Sequence, residues 1–106
     1  MAAESISVKV EQDAAVVTLR GEHEAFTADK LARHLSGLLA EAVSVVVDLR
    51  EATFIDSTVV GVLLAARRRA ESSGLRFALL LGSNTGWPVR RLLEVTGLEA
   101  QFHVVG

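Results

Sequence analysis

Two uninterrupted apolar runs constrain this chain more than any other feature. "VSVVVDL" (43–49) and "LRFALLLG" (75–82) are β-branched or aliphatic almost throughout, and each is followed by a stretch of helical periodicity. Continuous runs of that length read as central strands buried on both faces. Strands that alternate with helices need crossover connections, so they run parallel, with right-handed crossovers. The expected fold is therefore α/β.

The flanking segments complete the pattern. In "SISVKVEQDAAVVTLRGE", Ile6, Val8 and Val10 alternate with polar residues, and Val17 and Leu19 do so again beyond a polar turn near Gln12-Asp13. This predicts an antiparallel hairpin, ended by Gly21 and a charged loop, "GEHEAF". A helix is expected from Thr27, with Thr27 as N-cap, Phe26 placed to staple onto Leu31, and a stripe of Leu31, Leu35, Leu38, Leu39 and Ala42. The second helix ends near "SSG", where Gly74 suits a left-handed C′ position. In "WPVRRLLEVTGL", Pro88 fits a first helical turn and Gly97 a terminus, with Leu98 folding back on Leu93. "QFHVV" reads as a last edge strand. The order is β-β-α-β-α-β-α-β: one domain over 1–106, with a mixed sheet, an N-terminal antiparallel hairpin, later strands parallel, and about three covering helices.

Composition excludes several function classes. The chain of 106 residues has no cysteine, which removes disulfides, thiolate chemistry and Cys-based zinc sites. Its formal charge of −2 gives no general attraction to nucleic acid. The start, "MAAESISVKVEQ", has no apolar segment of the signal-peptide kind, and the longest apolar run is far too short for a bilayer of roughly 30 Å. His23, His34 and His103 show no metal-ligand spacing and read as structural. "LLGSNTGW" lacks the lysine of a phosphate-binding loop, and Ser57 sits in no G-x-S-x-G elbow. Arg67, Arg68 and Arg69 point about 100° apart on a helix and make no single patch. Neither a catalytic residue, nor a metal, nor a cofactor is expected.

One triplet invites a chemical reading. In "TFIDSTVVGVLLAARRR" (53–69), a nearly apolar helix opens on Asp56-Ser57-Thr58. Asp is a good N-cap, so the triplet can be a plain helix start. It can equally be an acceptor, because a phosphate on Ser57 would meet the positive end of the helix dipole and free backbone N–H groups. Asp56 would oppose that phosphate by like charge, leaving stability nearly unchanged and the surface much altered, with Glu22 and Glu24 close by. Asp48, at the end of its strand, is either a polar strand terminus or a contributor to the same site. It resembles the acceptor aspartate of receiver domains, but the acidic pair and late lysine of that family are absent.

"VVVDLREATFIDSTVVGVLLAARRRAESSG" resembles the central motif of STAS domains, in particular of bacterial anti-sigma factor antagonists. "VTLRGEHEAFTADKL" and "WPVRRLLEVTGL" are similar to further motifs of that family, in the same order. The resemblance implies a cytoplasmic switch protein without enzymatic activity. Its unmodified form would bind an anti-sigma factor that is also a serine kinase with an ATP-binding fold, so releasing a sigma factor. Phosphorylation of Ser57 would end that binding, and a PP2C-type phosphatase would restore it. Asp56, Ser57, Thr58, Val59, Glu22, Glu24 and Asp48 are the implied contact residues. Val59 stands where the family has Gly, so it is expected to act as an apolar knob toward the partner, and Glu24 replaces an Asp. Two other roles stay open: a STAS adaptor in a membrane-transport assembly, and a small nucleotide-binding or phosphotransfer protein.

Overall fold

The five strands lie in the sheet in the order in which the chain makes them. A computed structural model describes residues 5–12 and 14–105. In chain order these form β1 (Ser5–Glu11), β2 (Ala14–His23), α1 (Ala25–Ala40), β3 (Ser44–Ile55), α2 (Ser57–Ser72), β4 (Phe77–Gly82), α3 (Trp87–Val95), a 3₁₀ turn (Glu99–Gln101) and β5 (Phe102–Val105). β1 pairs antiparallel with β2, and every later pairing is parallel. The expected mixed α/β domain with three helices is what forms. Of the expected hairpin turn, Gln12 takes φ 46°, while Asp13 lies outside the described residues.

Burial along the apolar runs alternates, which corrects the expectation that both faces of β3 and β4 are covered. Val45, Val47 and Leu49 are fully buried, as are Leu79 and Leu81, whereas Val46, Ala78 and Leu80 are only partly so. The reason is topological. Each right-handed crossover moves to the next position in the same direction, so all three helices stay on one side of the sheet. A single core forms there from Val17, Leu19, Val47, Leu79 and the helix residues Leu31, Leu35, Leu63 and Leu93. The opposite face keeps partly exposed aliphatic residues.

Helix ends follow backbone rules closely. Each α-helix closes with paired 6→1 and 5→2 hydrogen bonds: Val43 N–H to Leu38 and Ala42 to Leu39, Leu75 to Ala70 and Gly74 to Glu71, Leu98 to Leu93 and Gly97 to Glu94. Gly74 and Gly97 take φ of 70° and 82°, as expected, but α1 places Ala42 at the equivalent position with φ 61°. Ala42 is therefore a left-handed terminator outside the helix, exposed, and no part of the Leu31–Leu39 stripe.

The start of α1 also differs from expectation. The helix begins at Ala25 behind Glu24, whose side chain makes no capping bond, and Thr27 lies inside its first turn. Phe26 points into solvent at 90 % exposure instead of stapling onto Leu31. The loop expected after Gly21 is instead strand. β2 continues to His23 and β3 to Ile55, with register irregularities at Thr18/Arg20 and Gly21/Glu22 that let the pair twist onward.

Candidate functional site

The site is built where β2, β3 and β4 end and the three helices begin. In open sheets of this kind the carboxyl ends of parallel strands, where loops gather, carry the functional surface. Asp56 is the residue that organises it. Its Oδ1 accepts from the N–H groups of Thr58 (3.0 Å) and Val59 (3.1 Å), two of the donors an α-helix leaves unpaired at its start. Thr58 Oγ1 donates to the same Oδ1. Asp56 Oδ2 accepts from the Ala25 N–H at 3.1 Å, so one carboxylate holds the starts of both α1 and α2. The backbone N–H of Asp56 donates to the His23 carbonyl at 3.2 Å. The hydroxyl of Thr58, followed by the N–H groups of Val59, Ala25 and Thr58, draws the carboxyl of Asp56 below its ordinary value against a smaller cost of burial.

Ser57, the first residue of α2, is treated differently from its neighbours. It is exposed, and among the described residues its hydroxyl takes no hydrogen-bond partner. Within Asp-Ser-Thr, the first and third side chains are engaged in closing the helix end and the middle one is left to solvent. Glu22 and Glu24 are exposed beside it: Glu22 pairs with Phe54 across the β2–β3 ladder, and Glu24 directly precedes Ala25.

Two candidate residues fall elsewhere. Val59 is fully buried in the core, not a knob on the surface. As the third residue of α2 it faces the sheet, and a β-branched side chain fills core volume there; the exposed residues around it are Ser57, Thr58 and Gly61. Asp48 alternates with the buried Val47 and Leu49 and so faces the uncovered side of the sheet, away from the helices. There its Oδ1 accepts from the backbone N–H and Nε of Arg50, both at 3.0 Å, and its Oδ2 from Nη2 at 2.9 Å. Burial pushes the Asp48 carboxyl up, but the hydrogen bonds and charge of Arg50 outweigh it and hold the group below its ordinary value. Asp48 does not end its strand as expected, because β3 runs on to Ile55; it is a buried mid-strand partner for Arg50.

Sequence reading did not foresee the support beneath the site. His23 is buried at 1 % exposure, its Nε2 donating to the Arg20 carbonyl at 2.9 Å and its Nδ1 3.1 Å from Thr27 Oγ1. A carbonyl only accepts, so Nε2 carries the proton. On the other flank, Thr85 Oγ1 donates to the Leu49 carbonyl and accepts from the Gly82 N–H, both at 2.9 Å. Gly86 N–H donates to the Ala52 carbonyl at 2.9 Å. A Cβ at Gly86 would lie 2.3 Å from the Thr53 carbonyl oxygen, so only glycine lets the start of α3 sit this close to β3. Trp87, which follows, is 73 % exposed. No pattern in the sequence separates such an exposed aromatic from a core one.

A groove of about 460 Å³ runs between α1 and α2 from Thr58 to Arg69, with Leu35, Leu39 and Ala66 in its lining. Among the described residues Arg69, bonded to Ser36 at 2.7 Å, is the one cation in its otherwise largely apolar lining. Arg67 reaches instead toward the Gly97 carbonyl and Gln101, so Arg67 and Arg69 face different ways. Among the described residues no cluster of three or more His, Cys, Asp or Glu could hold a metal ion, and no helix is long and apolar enough to cross a membrane.

No curated protein matches this chain. Among solved structures it is similar to the anti-sigma factor antagonist SpoIIAA in its unphosphorylated form, with 23% identity, a TM-score of 0.83, and coverage of 96% of this chain and 89% of that one. An anti-sigma factor antagonist from Mycobacterium paratuberculosis superimposes with a TM-score of 0.79 at 22% identity, covering 96% of this chain and 85% of the other. The Bacillus cell fate determinant SpoIIAA in its phosphorylated form does so with a TM-score of 0.77 at 21% identity, covering 98% and 92%. These likenesses establish a shared fold. The STAS domain family model matches residues 5–105, essentially the whole described chain, and with the five-strand mixed sheet and helix-start site in place, the chain belongs to the STAS domain family.

Proposed function

We propose that this STAS domain is an anti-sigma factor antagonist regulated by phosphorylation of Ser57. Its unmodified form binds an anti-sigma factor of the serine-kinase type, with an ATP-binding fold, through the ends of β2 and β3 and the start of α2. Phosphorylation by that partner ends the complex, and a PP2C-type phosphatase reverses it. The domain itself catalyses nothing; it acts in the cytoplasm as a substrate and a binding surface.

One observation carries this reading. Ser57 is the member of the Asp-Ser-Thr triplet whose hydroxyl is exposed and unengaged, while Asp56 and Thr58 are bonded to each other and to the helix start. Thr58 is correspondingly the poorer acceptor. A phosphate on Ser57 adds roughly −1.5 to −2 charges beside Asp56, Glu22 and Glu24. It stands at the positive end of a 16-residue helix, which offsets the repulsion inside the fold. A partner docked on the same end receives no such offset and is repelled.

The test uses wild type, Ser57→Ala and Ser57→Asp proteins with purified serine-kinase anti-sigma factors from the source organism and ATP. Wild type is expected to gain one phosphate, located on Ser57 by mass spectrometry, and to lose binding on modification. Ser57→Ala should bind and stay unmodified, and Ser57→Asp should bind weakly. Phosphate on another residue of Ser57→Ala, or equal binding by all three, overturns the mechanism.

A further inference from the structure

Ser57 has two conspicuous neighbours. α1, α2 and α3 start at the carboxyl ends of β2, β3 and β4, which are adjacent in the sheet, so the three helix starts stand in a row with α2 in the middle. Backbone contacts fix the row. Ala25 N–H is bonded to Asp56, and Gly86 N–H is bonded to Ala52 with its Cα against Thr53. The residue after Ala25 is Phe26, the residue after Asp56 is Ser57, and the residue after Gly86 is Trp87.

The core takes in neither aromatic. The chain has five aromatic residues, four Phe and one Trp. Phe77 and Phe102 pack against the core, and Phe54 is partly buried. Phe26 and Trp87 are 90 % and 73 % exposed and belong to no core cluster. Large aromatic side chains held in water on rigid, hydrogen-bonded helix starts are what protein interfaces use as energetic anchors. The charges around them are mixed: Glu24 and exposed Lys30 flank Phe26 along the chain, and Arg91 and Glu94 follow Trp87 one and two turns along α3.

We propose that Phe26 and Trp87 are the two anchoring side chains of the docking face, one on each side of Ser57. The partner is the serine-kinase anti-sigma factor of the proposed function, with two apolar recesses on either side of the point where it meets Ser57. This inference rests on the reading that the start of α2 is the docking face, and it adds which side chains supply affinity.

The experiment measures affinities of wild type, Phe26→Ala, Trp87→Ala and Val95→Ala for each purified serine-kinase anti-sigma factor of the source organism. Val95, 64 % exposed at the far end of α3, is the control. Each aromatic variant is expected to bind at least tenfold more weakly and to keep the thermal midpoint of wild type, with Val95→Ala unchanged. As the chain's single tryptophan, Trp87 also reports directly: its emission should shift to the blue on binding a tryptophan-free form of the partner. If wild type binds and the aromatic variants bind equally well with no shift, the anchors are wrong and the docking face stands. If no kinase binds wild type, the docking face itself is wrong and this inference falls with it.

Discussion

Ala25 and Asp56, 31 positions apart in the chain, are joined by a 3.1 Å hydrogen bond from the backbone of one to the carboxylate of the other. That carboxylate also closes the start of α2, so the aspartate beside the candidate acceptor secures two helices at once.

Asp56→Ala removes both functions and is expected to cost about 1–2 kcal/mol, the range of a strong N-cap. Asp56→Asn keeps one carbonyl oxygen for Thr58 and Val59 but presents an amide group toward the Ala25 N–H, which cannot accept. Its loss should lie between wild type and Asp56→Ala in urea unfolding. An Asn variant as unstable as the Ala variant would mean that the α2 cap contributes nothing.

Acid should weaken the fold through both lowered carboxyls. Asp48 and Asp56 lie below the ordinary 3.8 when folded. A depressed folded value means that their contribution is complete above the unfolded value and is lost as pH falls through the folded one. Arg50→Met leaves Asp48 buried without its partner, so its carboxyl should rise above the ordinary value. That variant is expected to be destabilised at pH 7 and to recover part of the difference near pH 3, where Asp48 is neutral. Parallel stability curves for the variant and wild type would contradict this account of the pair.

Gly86→Ala places a methyl group 2.3 Å from the Thr53 carbonyl oxygen, which is backbone and cannot swing aside. The start of α3 must move, at a cost of about 1–3 kcal/mol. Melting curves should show the loss, and Trp87 emission should change even in the free protein. Gly61→Ala is the matching control, because a Cβ there meets nothing within 4 Å and alanine favours the helix.

Ala42→Gly should do the reverse. Ala42 holds φ 61°, a conformation that costs an L-residue roughly 1–2 kcal/mol, less the extra freedom glycine has when unfolded. A net gain of up to about 1 kcal/mol is expected, seen as a higher thermal midpoint. No gain would mean that the backbone at residue 42 is held elsewhere.

What could be read in advance followed hydrogen-bond chemistry and periodicity. Gly74, Gly97 and Pro88 announced their helix ends because each has a backbone property other residues lack. Asp56 announced its cap for the same reason. The start of α1 was misread because Thr27 is a better cap than Glu24 by side chain alone, yet Asp56, far along the chain, satisfies an N–H there. Val46 and Val47 look alike in sequence; only the one-sided stacking of helices makes one a core residue and the other half-exposed. Val59 and Asp48 changed place for a related reason. A one-residue difference in position reverses the face of a strand, and a shift of 100° turns a helical side chain from solvent to core.

The strand order has a consequence for how the chain assembles. Each of β2 to β5 joins the sheet beside the strand made before it, so no strand has to be inserted between two that are already paired. A chain emerging from the ribosome can lay down β1 to β3 and extend the same edge afterwards. The end that carries Ser57 needs only β2, β3 and the helix starts between them, and it is within reach before β5 exists.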